Sequence, residues 1–144
     1  MTHADFDDTD LDDEVLDDDE QEKIPPQFER FEDWVEQWLA PTIARKITNE
    51  QLWCEQWWRH PEVAVRLAAL HRGWEAARVS DDALAQSSWW VYHFSAHWRD
   101  ISATNGPMNK CTNGKHTQNK SLSVVPAPDG WFDPTQHTDE PNAA

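Results

Sequence analysis

The sequence predicts an all-α protein: a small, tryptophan-rich helical domain of about four helices flanked by disordered N- and C-terminal tails. Three observations lead there. Several segments carry apolar residues at three- and four-residue intervals, no stretch alternates apolar and polar residues as a half-buried strand does, and the two ends have no apolar period. The expected boundaries are an acidic tail over residues 1–26, the helical domain over 27–111 and a polar tail over 112–144.

Charge separates the first tail from the domain. The formal net charge is -15, and twelve of the 27 acidic residues lie within residues 1–22, which hold no Lys or Arg. Mutual repulsion and sparse apolar surface predict disorder there. Phe6, Leu11, Val15 and Leu16 interrupt the acid run, a pattern suited to docking on a basic, apolar-lined partner; a solubilising tail is the plainer alternative.

The first helix is expected from near Gln27, with Phe28, Phe31, Trp34, Val35, Trp38 and Leu39 on one face and Pro41 ending or kinking it. A short helix should hold Trp53-Cys54-Glu55-Gln56-Trp57-Trp58. In a helix Trp58 points about 100° from Trp57, so the neighbouring rings cannot fill one gap. Pro61 suits a first helical position and Glu62 the end that favours anions. Val63, Leu67, Leu70, Trp74 and Ala77 then form a buried stripe. After Ser80 or Asp81 as a cap, a last helix carries Leu84, Trp90, Phe94 and Ile101, with Trp89 and Trp98 beside them. Asn105-Gly106-Pro107 breaks it. Beyond Thr112 the chain has no period; residues 128–134, Pro-Asp-Gly-Trp-Phe-Asp-Pro, form an apolar island that reads as a linear binding motif or as a segment packing back on the domain.

Composition excludes several functions. No apolar run reaches the roughly 18–20 residues of a membrane span. The N-terminus lacks the basic and apolar regions of a secretory signal, so the expected location is the cytoplasm. Four glycines without a phosphate-binding loop argue against nucleotide hydrolysis. The basic residues Arg45, Lys46, Arg59, Arg66, Arg72 and Arg78 are interleaved with acids, and direct nucleic-acid binding is not expected of so acidic a chain.

Cys54, His93, His97 and Cys111 are the candidate metal ligands. Thiolates with imidazoles are the donors a structural zinc takes, and His-x3-His presents two rings on one helix side. Against this stand the 57-position separation of the cysteines and the lack of a Cys-x2-Cys knuckle. The alternative is two small buried thiols and ordinary histidines. His60 is a rival ligand, although its place before Pro61 also suits a helix start. His93-x3-His97 lacks the glutamate of a zinc protease motif, and nothing near either cysteine activates a nucleophile.

Joined together, these motifs resemble a known family. Phe31-x2-Trp34-Val35, Trp53-Cys54-x2-Trp57-Trp58-x-His60-Pro61-Glu62, Arg66-Leu67-x2-Leu70-x3-Trp74-Glu75, Trp89-Trp90-x2-His93-x3-His97 and Gly106-Pro107-x3-Cys111 are similar to an actinobacterial domain family of unknown function. Its members are encoded on chromosomes, plasmids, integrative elements and phages. The resemblance spans residues 28–111 and matches at Cys54, His93, His97 and Cys111. It departs at Met108, where the family has Phe, at His71, where Trp is usual, and at Ser95-Ala96, which replace Asp-Pro. It implies no activity, only a link to mobile-element biology. The expected function is therefore a non-enzymatic interaction or accessory module with an unidentified protein partner and a structural zinc; a metal- or thiol-dependent enzyme is the alternative.

Overall fold

The computed structural model describes residues 23–112 and 114–135. Among these, three helical runs and one short 3-10 turn occur and no strand. Helix α1 covers residues 31–42, α2 covers Pro61–Arg78, and α3 covers residues 85–101; the turn is Trp57–Arg59. Most of the expected acidic tail, and the end of the polar one, lie outside the described residues. No described helix is long and apolar enough to cross a membrane.

Two of the helices contain a wide turn. In α1 the segment Val35–Leu39 is π-helical, and Ala40 N–H donates to Val35 O, five residues back. The widening comes just before Pro41, which cannot donate a backbone bond, and the helix runs on to Thr42 instead of ending at Ala40. In α3 the π-helical segment is Trp89–Phe94, and both the backbone N–H and the Oγ of Ser95 donate to Trp90 O. Residues five apart on an ordinary α-helix point about 140° apart. The wide turn instead lets Trp89 and Phe94 share a side, their rings stacked at 5.6 Å and both buried. Of the expected stripe Leu84, Trp90, Phe94 and Ile101, Phe94 and Ile101 are buried, Trp89 and Trp98 join them, and Leu84 is left 67% exposed.

The described residues divide into two units: 23–44 with 67–95, and 45–66 with 96–135. In the first, tryptophans make the core. Trp34, Trp38, Trp74, Trp89 and Trp90 form a chain of contacts, the tightest being Trp38–Trp74 at 4.7 Å and Trp89–Trp90 at 4.9 Å between ring centres. Trp34 and Trp89 are almost fully buried, beside Val35, Leu39, Leu67 and Leu70. Such rings each bury a large area, which suits a small core. Trp89 Nε1 donates to Leu70 O at 2.9 Å, meeting the polar need of one ring.

Glu75 ties the start of this unit to α2. Its carboxylate accepts from the backbone N–H groups of Gln27 and Phe28, both at 2.9 Å, while His71 Nε2 and Arg78 Nε lie 3.2 Å away. Arg78 also donates to Pro25 O. Those bonds hold residues 27–28 outside any helix, so α1 starts at Phe31 rather than near Gln27.

In the second unit Trp57 is buried and Trp58 59% exposed, so the paired rings do separate. The expected short helix shrinks to the Trp57–Arg59 turn. Trp53 stacks on Trp98 at 5.8 Å, and the Arg45 guanidinium lies 5.6 Å above the Trp98 ring. Leu52 N–H donates to Ser102 O at 2.8 Å. The chain past Cys111 makes contacts too: Asn119 Nδ2 donates to Asn109 Oδ1 at 2.7 Å. Contacts of this unit therefore extend beyond the expected boundary at residue 111.

Burial raises the Glu75 pKa, but the Phe28 and Gln27 N–H groups, His71 and Arg78 outweigh it and hold the carboxyl below its ordinary value. A depressed value means stability that is present above the unfolded carboxyl range and lost as pH falls through the folded one. Glu75→Gln should therefore cost about 1–3 kcal/mol at pH 7, with the gap to the parent chain closing below about pH 4. Thermal melts followed by circular dichroism across that range check it.

Candidate metal centre

Four donors converge in the second unit: Cys54, His60, Cys111 and His116, one ligating atom of each within 4.8 Å of the others. Cys54 follows the segment tied down through Leu52, and its own N–H points at Met108 Sδ, 3.4 Å away. Met108 is fully buried there. His60 closes the Trp57–Arg59 turn through its N–H to Trp57 O, and its carbonyl accepts from Ala64 N–H in the first turn of α2. It is both helix start and donor.

Cys111 arrives by a descent in steps of three. Gly106 N–H donates to Ala103 O, Asn109 N–H to Gly106 O, and Cys111 N–H to Met108 O. Gly106 is required at this point: a Cβ would lie 2.6 Å from Asp100 O and 3.1 Å from Ala103 O, both backbone atoms. Thr112 and Lys115 then exchange backbone hydrogen bonds across Asn113-Gly114, with Gly114 at φ 76°. The positive φ of Gly114 suits glycine, and the reversal returns the chain so that His116 faces Cys111.

The separations fit one ion. Cys111 Sγ lies 3.3 Å from His60 Nε2 and 4.0 Å from His116 Nδ1, and Cys54 Sγ lies 3.5 Å from His116 Nδ1. A tetrahedral zinc with bonds of about 2.3 Å to sulfur and about 2.0–2.1 Å to nitrogen places neighbouring sulfur and nitrogen donors about 3.6 Å apart. Three donors are buried and His116 is half-buried. The backbone supports the sulfurs: Thr117 N–H donates to Cys111 Sγ at 3.3 Å, and Gln56 N–H favours the ionised form of Cys54.

Burial pushes the Cys54 thiol above its ordinary value, reinforced by the neighbouring Cys111 and opposed by Gln56 N–H and Arg59. Burial likewise lowers His60, with the His116 and Arg59 charges adding to it. The second effect keeps a ligating imidazole neutral, which is the form that binds a metal.

The two cysteines predicted as ligands are thus brought together, and the two predicted histidines are not with them. His93 is exposed on α3. The His97 Nδ1 accepts from Arg66 Nη1 at 3.2 Å, since a guanidinium can only donate, and Arg66 also reaches Asp100 at 3.3 Å. His60 and His116 are the histidines that lie beside the two cysteines. The legible signal was a pair of short spacings, Cys54-x5-His60 and Cys111-x4-His116, in which each cysteine brings its own histidine.

A family profile described as "Domain of unknown function (DUF4913)" matches residues 28–129, a span containing all four donors. The chain belongs to this family. No curated protein and no solved structure matches it. The DUF4913 match ends well past Cys111, at a residue that follows the contacts made by Thr117 and Asn119.

Two sets of variants probe this geometry. His60→Ala and His116→Ala should each weaken zinc binding about 10-fold or more, a scale typical even of outer-shell losses, while His93→Ala leaves it unchanged in competition titrations with a chromogenic chelator. Gly106→Ala should cost about 1–3 kcal/mol, because the added carbon meets backbone rather than a yielding side chain; a melting temperature equal to the parent's would contradict it.

Proposed function

We propose that this DUF4913 chain is a non-enzymatic interaction or accessory module whose second unit is held by a structural zinc ion. The observation that carries the reading is the closed donor set of two thiols and two imidazoles, with spacing that suits one tetrahedral ion. Four protein ligands leave no open position for a substrate or an activated water, which distinguishes structural from catalytic zinc. Soft sulfur with imidazole favours zinc over the oxygen-preferring magnesium and calcium.

The interaction part of the reading rests on surface. Trp58 is 59% exposed beside the buried Trp57. A cleft of about 690 Å³ in the same unit has His60, Glu62, Asp100, Gly106, Lys120 and Leu122 among its lining. The partner is a protein, engaged through such surface or through the acid run of residues 1–22, and the setting is cytoplasmic. The resemblance to an actinobacterial family carried by plasmids, integrative elements and phages supports a role in the biology of such elements.

Elemental analysis of untagged protein should give about one zinc per chain, and chelation should lower the melting temperature, because a structural ion contributes folding free energy directly. Less than about a tenth of an equivalent, with no change on chelation, would sink the metal reading. Turnover of a substrate by the zinc-loaded chain would overturn the non-enzymatic one, and a host protein retained by the full chain but lost with residues 1–26 removed would support the partner reading.

A further inference from the structure

The donor set holds both of the chain's cysteines. Each sulfur therefore has one intramolecular partner for oxidation, and that partner is already a fellow ligand. A tetrahedral zinc holds two thiolates about 3.8 Å apart, and a disulfide needs about 2.05 Å, a closure of under about 2 Å. Zinc also keeps both sulfurs in the thiolate form, which is the nucleophile toward peroxide.

The four ligands are not held equally. Cys54, His60 and Cys111 are buried, whereas His116 is half-buried on a segment whose residues 112, 114, 115, 117 and 118 are exposed. A ligating histidine ordinarily fixes its second ring nitrogen by a hydrogen bond. His116 Nε2 is buried with no hydrogen-bond partner among the described residues. Past it, the described contacts of the chain with the rest of the unit run largely through Thr117 on Cys111 and Asn119 on Asn109. His116 is thus the ligand that opens first, and its departure uncovers the two sulfurs.

We propose that Cys54 and Cys111 form a peroxide-sensitive modification site, in which oxidation to a disulfide expels the metal and releases His116 with the segment that follows. The inference rests on the zinc reading above. One thiolate attacks a hydroperoxide oxygen; the O–O bond breaks, the sulfur becomes a sulfenic acid, and the departing hydroxide takes a proton from solvent to leave as water. The second thiolate attacks that sulfur, the S–S bond forms, and the displaced hydroxide leaves as a second water. Two thiolates lose two electrons, and one peroxide gains two electrons and two protons. The metal, left with two imidazoles, dissociates as the divalent ion.

The full chain, loaded with one equivalent of zinc, is treated with hydrogen peroxide. A chromogenic chelator follows the freed metal, and mass spectrometry without reduction follows the thiols. The expected result is loss of both thiols together, one zinc released per chain, and a Cys54–Cys111 link that dithiothreitol with added zinc reverses. Hydrogen exchange should rise over residues 114–122 and stay unchanged in α2 from Leu67 onward. His116→Ala, which keeps both sulfurs, should release its zinc roughly tenfold faster under the same peroxide. Zinc retained under peroxide, sulfinic acids without a 54–111 link, or links between chains would each overturn this proposal and leave the structural-zinc reading standing. A chain that takes up no zinc before treatment overturns both.

Discussion

The convergence of two sulfurs and two imidazoles is the contact at which sequence-distant parts of the second unit meet. Among the described residues from Ser102 to Leu122 there is no helix, and the backbone order comes from single turns and from what the side chains grip. Turns of this kind are individually weak, because each fixes several dihedral angles for one bond. A metal held by Cys54, His60, Cys111 and His116 would join the loop before α2 to the loop after α3 at one point. It would also join residues distant in sequence, where closing the intervening loop is entropically costly in the absence of a cross-link.

The first unit solves the same problem of size by different means. It has no such cluster among its described residues and relies on large rings, with Trp34, Trp38, Trp74, Trp89 and Trp90 in mutual contact. Rings of that size leave few ways to pack, and the polar group of each must be met or buried at a cost. Trp89 meets its need at Leu70 O; Trp34 Nε1 is buried without a partner among the described residues. Glu75 completes the unit by capturing two backbone donors 47 and 48 residues away.

Residue spacing exposed some of this architecture and concealed the rest. The stripe Val63, Leu67 and Leu70 on α2 was legible because an uninterrupted α-helix keeps its phase for eighteen residues. The α3 face was legible only in part: Phe94 and Ile101 are buried as their spacing implies, but the wide turn shifts the phase and puts Trp89 in the core while Leu84 is exposed. The start of α1 was displaced by a carboxylate nearly fifty positions away, which no local pattern announces. At the candidate metal centre the cysteines stood out as rare residues. His93 and His97 looked like the better histidines because helical spacing is easy to recognise. His60 and His116 sit at a helix start and after a tight reversal, where position is set by turns; His97 is engaged by a guanidinium from α2, invisible to spacing.

The wide turns have a consequence of their own for how the chain tolerates change in length. A π-helical turn is an α-helical turn holding one residue more than it needs. Removing a single residue within Trp89–Phe94 would let the helix recover ordinary pitch while the flanking turns kept their facing. A deletion elsewhere in α3 would rotate everything beyond it by about 100°. The widened segments are slack in the helical winding, the places where this chain can lose a residue and keep its sides aligned.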